Sequence, residues 1–524
     1  MILECPICFE ICEKSHKCQT CPSACDKCWR QYWSVSVATD GKCLFCPKEV
    51  KDVDIEKFKN WTSHVGLDQK PHQIEGVRWC LSKETDGGTI YNEKATGGII
   101  ADEMGLGKTI MMIGLMLVNF KRRTLIVLPP ALLKQWESEL LRLTGHSPLV
   151  FHGYKKSKIT TKQFIGAPVV LTTYGMVSKH VKNPLMLLKW DRVIFDEAHH
   201  LRNQRRSHAM ALRLKREITW LVTGTPIQNN ITDLNSLWKM LKLKINFTEL
   251  YLGEGDLLKS LIHNYILRRT KADVELELPD VIEKIIRVNW ESESERDLCE
   301  ELHASLEFSN STVEQSFAAE ELTQWKLAAL VRCRQSCVKP QLLQDAYMAI
   351  ANEYRDEDDS SYSEKMEPFL NKSKINAVVK KIIERKDNGR KKLIFSHYRG
   401  EIDELKGQLE ERGHRVAFFD GRVSNYQREI ILAEDTAEVL ILQIKTACEG
   451  LNLQQFKEVY FVTPHWNPAV EDQAIARCHR IGQTENINVF RFLMEDFGIH
   501  SKNIDSYCQT VQERKRDFQK FLHI

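Results

Sequence analysis

Short apolar runs alternate with longer amphipathic stretches over two parts of this chain, and the alternation fails between them. From about residue 67 to 275 the runs Thr124–Leu128, Val169–Thr172, Val193–Phe195 and Thr219–Val222 predict parallel strands joined by helices. Residues 290–350 hold no such run and favour helix formers. They lead into EYRDEDDSSYSEKME, whose seven acids against two bases in 15 residues predict a solvated linker. From about 369 the alternation resumes, with strands expected at Lys392–Phe395, Arg415–Phe419, Val439–Gln443, Glu458–Val462 and Ile487–Phe492. The last 20 residues read as a charged amphipathic helix. The expected division is a cysteine-rich segment at 1–50, a linker at 51–66, a first α/β lobe at 67–275, a helical bridge and acidic linker at 276–368, a second α/β lobe at 369–510 and a C-terminal helix at 511–524.

Composition sharpens this in two places. Hydrophobic residues are 43 % and charged residues 28 % of the 524, as in globular proteins, and no uncharged apolar run reaches the roughly 18 residues of a membrane span. The start, MILECPICFE, lacks the basic-then-apolar layout of a secretory signal, so an intracellular protein with no membrane partner is expected. A net charge of +3 says nothing about nucleic acid, which must be argued from clusters such as Lys121–Arg123, Lys155–Lys158 and Arg202–Arg206. Nine of the sixteen cysteines fall within the first 46 residues, which marks a local metal site rather than a disulfide scaffold.

The strongest chemical signal is Asp102-Glu-Met-Gly-Leu-Gly-Lys-Thr109, set between an apolar strand at Gly98–Ala101 and an apolar helix at Ile110–Leu117. A phosphate needs inward-pointing backbone N–H groups, which Gly105, Leu106 and Gly107 supply at a helix N-terminus. Lys108 would then reach the β and γ phosphates of ATP and Thr109 would hold Mg²⁺. Asp102 stands where such loops usually have their first glycine. Ninety residues on, the run Val193-Ile-Phe-Asp-Glu-Ala-His-His200 ends in two carboxylates, Asp196 to bind Mg²⁺ and Glu197 to orient and deprotonate water.

These segments and those that follow resemble a superfamily two helicase of the SWI/SNF type over roughly residues 67 to 495. Lys70-Pro-His-Gln73 is similar to the family's adenine-reading element, with Gln73 as base contact. Leu128–Trp136, Thr172–Tyr174, Leu221–Asn229 and Ile266–Lys271 continue the order. In the second lobe Leu393–Tyr398, Lys445–Leu453, Pro464–Pro468 and Gln473–Gln483 do the same. The resemblance implies two RecA-like lobes with parallel sheets flanked by helices, ATP and Mg²⁺ in the cleft between them, and Arg477 and Arg480 as arginine fingers. It also implies tracking of double-stranded DNA without strand separation, with Gln135, Trp136, Thr172, Thr173, Tyr174, Ser396, Arg399, Lys445 and Asn452 as grips. Ala447, Cys448, Ala476 and His397 depart from the family's usual residues. None of them removes a group that does chemistry.

The first 46 residues hold four Cys-x2-Cys pairs, Cys5 with Cys8, Cys18 with Cys21, Cys25 with Cys28 and Cys43 with Cys46, enough thiolates for two tetrahedral Zn²⁺ sites. The spacing resembles a RING finger, whose cross-braced wiring would put Cys5, Cys8, Cys25 and Cys28 on one zinc and the other four on the second. A PHD finger is the rival, and Cys12 and His16 remain as substitute ligands or bystanders. As a RING, Ile7, Tyr32, Trp33 and Pro47 would dock a ubiquitin-conjugating enzyme; otherwise the finger stabilises the fold or docks another protein. Three functions are therefore open: a DNA-stimulated ATPase motor, a ubiquitin ligase targeted by that motor, and a scaffold with an inactive ATPase fold. The motor would act in the nucleus, or at a site of viral replication or transcription.

Overall fold

The computed structural model describes residues 52–521 except 91–92, 180–182, 203–205, 228–231, 244–255, 275–277, 305–323, 345–369, 445–450 and 499–500, together with four two-residue strands in the first 25 residues. The chain divides into two units, Met1–Leu276, with which Ile524 is grouped, and Glu277–His523.

The first unit is built on seven parallel strands: β1 (Gly97–Ile100), β2 (Thr124–Leu128), β3 (Leu149–Val150), β4 (Val169–Thr173), β5 (Lys189–Asp196), β6 (Lys215–Val222) and β7 (Ile266–Leu267), in the spatial order β7-β1-β6-β5-β2-β4-β3. Helices α1 (Asp52–His64), α2 (Pro71–Thr85), α3 (Lys108–Val118) and α4 (Leu133–Thr144) flank it. Every residue of β2 is buried, which is why it reads as an unbroken apolar run.

Strands β5 and β6 begin four residues before their apolar runs because each start holds a buried arginine. Arg192 is fully buried, forms an ion pair with Glu84 of α2 and donates through Nε to Oε1 at 2.6 Å. Asn119 and Trp220 also donate to Glu84, at 2.6 and 2.7 Å. Arg216 donates to the carbonyls of Ala211, Leu214 and Met240.

The segment read as a linker at 51–66 is instead α1, part of the first unit's core. Ile55, Phe58 and Trp61 are buried, and Trp61 Nε1 donates to the Leu143 carbonyl at 3.0 Å. Phe58 lies so close to Gly114 of α3 that a Cβ there would stand 2.2 Å from its ring.

The second unit carries six parallel strands: β8 (Val281–Val288), β9 (Lys391–Ser396), β10 (Val416–Phe419), β11 (Val439–Gln443), β12 (Phe456–Phe461) and β13 (Ile487–Met494), in the order β8-β13-β12-β9-β11-β10. Around it lie α5 (Glu293–Ala304), α6 (Gln324–Val338), α7 (Ser373–Ile383), α8 (Arg399–Glu411), α9 (Pro468–Ile475) and α10 (Ile504–Phe521). Strand β8 falls in the segment expected to be helical. It pairs with β13 over eight residues as an exposed edge, and Glu283, Lys284 and Arg287 break up its apolar pattern. The last helix starts at Ile504, not 511, and its buried Asp505 forms an ion pair with Lys374 of α7. Among the described residues no helix is long and apolar enough to cross a membrane.

Candidate active site

The C-terminal ends of β1 and β5 and the first turns of α2 and α3 bring the expected nucleotide residues together. Proline at the first position of α2 fixes the helix start and sets His72 and Gln73 in its opening turn. Both are buried and both reach the Leu106 carbonyl of the phosphate loop, His72 Nε2 at 3.1 Å and Gln73 Nε2 at 3.2 Å. Burial pushes the His72 imidazole below its usual pKa, which favours the neutral ring.

The loop itself depends on Gly107. Its φ of 84° is left-handed, and a Cβ there would stand 2.2 Å from Gln73 Nε2, so a side chain would break the contact between the first turn of α2 and the loop. Helix α3 starts at the next residue. Lys108 Nζ donates to the Asp102 and Glu103 carbonyls at 2.7 and 3.2 Å; burial lowers its pKa, while Glu197, Asp102 and Asp196 pull it back up. Thr109 is half-buried in the first turn of α3.

Asp196 is the last residue of β5. Its Oδ2 accepts from Trp136 Nε1 at 2.7 Å, its Oδ1 accepts from the Glu197 amide at 3.0 Å, and its carbonyl accepts from the Tyr174 hydroxyl at 2.7 Å. Burial and the neighbouring Glu197 raise its pKa to about 6, against the pull of these hydrogen bonds and of Lys108. Glu197 follows in the left-handed region at φ 51°, a costly conformation for a residue with a Cβ, and lies 3.2 Å from His199 Nδ1.

Two arginines of the run Ile266–Lys271, to which the sequence assigns no task, complete the site. Arg268 Nη1 donates to the Ala101 and Gly224 carbonyls at 2.6 and 3.2 Å, and a Cβ on Gly224 would lie 3.6 Å from Lys108 Nζ. Arg269 Nε donates to Asp102 Oδ1 at 3.0 Å, and the pair is doubly bonded. The aspartate that replaces the loop's usual first glycine thus has a partner 167 positions away. Consecutive arginines at the end of a short apolar run were the available signal.

The residues expected to grip DNA fall into two groups. Trp136, Thr172, Thr173, Tyr174 and Ser396 are buried. Trp136 and Tyr174 hold Asp196, Thr172 Oγ1 donates to the Phe151 carbonyl at 3.0 Å and Thr173 Oγ1 lies 3.1 Å from His152 Nδ1. These side chains brace the ends of strands rather than face solvent. Arg399 and Asn452 are exposed and Gln135 is half-buried; Lys445 lies outside the described residues.

In the second unit α9 ends at Ile475, so Arg477 and Arg480 sit on the turn beyond it, both half-buried. Gln454 and Gln483 hold that turn: Gln454 Nε2 donates to the Ile481 carbonyl at 2.8 Å, and Gln483 Nε2 donates to the carbonyls of Cys478 and Gln454, both at 3.0 Å. His397 stacks on His465 with centroids 5.7 Å apart, and burial with Arg334 nearby holds its pKa well below the usual value. The side chains of the eight cysteines proposed as zinc ligands, from Cys5 to Cys46, lie outside the described residues; among the described residues no group of His, Cys, Asp and Glu is arranged to hold a metal.

With this geometry in hand, sequence comparison gives the family. Residues 72–342 match the model of the SNF2-related domain, and residues 373–482 match that of the helicase conserved C-terminal domain. The chain belongs to the SNF2-related family. Among curated relatives of this SNF2-related chain, the "Probable global transactivator" of Orgyia pseudotsugata multicapsid polyhedrosis virus is 27 % identical over 483 residues, covering 85 % of this chain and 90 % of the viral protein. The ISWI chromatin-remodeling complex ATPase ISW2 of Saccharomyces cerevisiae is 28 % identical over 475 residues, and the ATP-dependent DNA helicase DDM1 of Arabidopsis thaliana is 28 % identical over 471. The SNF2-related chain spans only 40 % of the yeast protein and 58 % of the plant one. The solved Sulfolobus solfataricus SWI2/SNF2 ATPase core in complex with dsDNA covers 82 % of this chain, and 88 % of that structure is covered, at 25 % identity and a TM-score of 0.37.

Proposed function

We propose that this chain hydrolyses ATP in response to double-stranded DNA and uses the cycle to move along the duplex without parting its strands. The observation that carries the proposal is the convergence of Gln73, Gly107, Lys108 and Asp196 at one end of a parallel sheet, with the buried Asp196 carboxylate beside a phosphate loop whose other buried carboxylate, Asp102, is paired with Arg269. That donor set suits Mg²⁺, which keeps most of its water and takes one or two protein oxygens, here Asp196 and the Thr109 hydroxyl. Bound Mg²⁺ supplies neutralisation of phosphate charge.

The protein's part follows from its own groups. Gln73 reads the adenine edge, and the amides of Gly105, Leu106 and Gly107 hold phosphate oxygens. Lys108 exchanges its two carbonyl partners for phosphate, and Glu197 accepts the proton of the attacking water. Arg477 and Arg480 stabilise the charge that develops on the transferred phosphoryl group, so binding and release of that charge alternates the grip of the two units on the DNA backbone. Exposed Arg399 and Asn452, with Gln135 and Lys445, are the grip residues that remain available.

The test is ATP hydrolysis by the purified chain with no nucleic acid, single-stranded DNA, duplex DNA and RNA, beside Glu197→Gln. Strong stimulation by duplex DNA that is lost in the variant is expected; indifference to DNA or a preference for RNA refutes the motor.

The four Cys-x2-Cys pairs favour a second element of this proposal, an N-terminal finger holding two Zn²⁺. Two zinc ions per purified chain, released by thiol modification, are expected. Ubiquitin transfer with a conjugating enzyme, abolished by removing residues 1–50 while ATP hydrolysis persists, would make the finger a ligase; its absence would leave a docking or stabilising module.

A further inference from the structure

Arg269 touches three parts of the candidate site with one guanidinium. Its Nε and Nη2 bond both carboxylate oxygens of Asp102, the first residue of the phosphate loop, and its Nη1 bonds the carbonyl of His72, next to Gln73. Its Nη2 also lies 3.6 Å from Met111 Sδ on α3. The guanidinium passes α2 at Gly76, where a Cβ would stand 2.8 Å from Nη2. The backbone behind it is fixed as well, since the Glu103 amide donates to the Arg269 carbonyl at 2.8 Å and the Ala101 amide donates to the Leu267 carbonyl at 2.7 Å. On the opposite side of the loop His72 and Gln73 both reach the Leu106 carbonyl. Base-reading turn and phosphate loop are therefore joined twice, once directly and once through Arg269.

We infer that Arg269 is a positioning residue for nucleotide selection: by holding Asp102 and the His72 carbonyl together it makes adenine recognition a condition of a well-formed phosphate loop. This rests on the reading of Gln73 and Lys108 as nucleotide contacts. The physical reason is geometric. A planar guanidinium satisfies a bidentate carboxylate and a carbonyl at fixed mutual angles, whereas an ammonium is a point charge that serves any one of them. With the joint intact, the fit of the base at Gln73 is transmitted to Gly105–Lys108. With it loosened, the loop binds phosphate with little regard to the base. A pair serving only to hold the fold together would treat all nucleotides alike.

The experiment compares steady-state hydrolysis of ATP and GTP by the full chain, with duplex DNA present, for the unsubstituted protein and for Arg269→Lys. The KM for ATP should rise about tenfold and its kcat fall by less than about threefold, while the KM for GTP stays within about twofold, so that preference for ATP collapses. Gly76→Ala provides a second variant that keeps every charge and crowds both Met111 Sδ, at 2.5 Å, and the guanidinium, at 2.8 Å; the same loss of preference, smaller in size, is expected. Equal shifts for ATP and GTP, or kinetics unchanged well below the melting temperature, overturn the inference while leaving the proposed ATPase intact. Equal use of GTP by the unsubstituted chain overturns it too. Failure of the unsubstituted chain to hydrolyse ATP refutes the proposed function itself and the inference with it.

Discussion

Trp136 Nε1 donates to Asp196 Oδ2 at 2.7 Å, with both side chains buried. An indole read from sequence as a DNA contact thus holds the carboxylate proposed to bind Mg²⁺. Trp136→Phe keeps an aromatic ring in the core and removes a charge-assisted hydrogen bond of about 1.5–3 kcal/mol. The expected outcome is a kcat reduced about tenfold or more with DNA affinity, measured by fluorescence anisotropy, within about twofold. A loss of DNA affinity with kcat preserved would return Trp136 to the DNA.

The Glu84–Arg192 pair joins the last turn of α2 to the middle of β5, and both side chains are fully buried. Removing one charge leaves the other in low dielectric, so Arg192→Met should destabilise the first unit by about 3–5 kcal/mol. Adding Glu84→Gln should recover part of that loss. Urea unfolding of the two variants decides it: a double variant less stable than the single one would show that the charges do not act as a pair.

Glu404 supplies the pH prediction. Burial alone would raise its pKa, but hydrogen bonds from Gln408, Lys339 and Lys372 overcome this and hold it at about 2. A depressed carboxylate stabilises the fold above its ordinary range and loses that contribution as pH falls from about 4.5 towards 2. After allowance for solvent screening, Glu404→Gln should cost about 1–2 kcal/mol at pH 7, and the gap should narrow steadily as the pH drops through 4 to 3. A gap of the same size at pH 3, read from urea midpoints, would mean that packing rather than charge is lost.

Where four consecutive apolar residues make up a strand but for one end the sequence is sufficient: β2 and β11 occupy Thr124–Leu128 and Val439–Gln443, the residues expected of them. The sequence misleads where a buried charge interrupts the run. Arg192 and Arg216 hide the first halves of β5 and β6 because their charges are met by groups that no local pattern marks, Glu84 for the one and the carbonyls of Ala211, Leu214 and Met240 for the other. Charged positions hide β8 for the opposite reason, since it is an edge strand and five of its eight residues face solvent. In the site, Lys108 and Asp196 were legible from motifs whose chemistry is local. Trp136, Tyr174 and Arg269 were not, because their tasks depend on contacts made 22 to 167 positions away.

The short helix Asp52–His64 decides where the chain can be cut. Shortening it to residue 67, or to the start of the SNF2-related match at 72, would strip Phe58 from Gly114 and Trp61 from the Leu143 carbonyl. The apolar back of the phosphate-loop helix would then be open to water, an invitation to aggregate. Removing residues 1–50 spares all of these contacts, so two truncations only some twenty residues apart should behave as different proteins, one folded and dispersed and the other prone to precipitate.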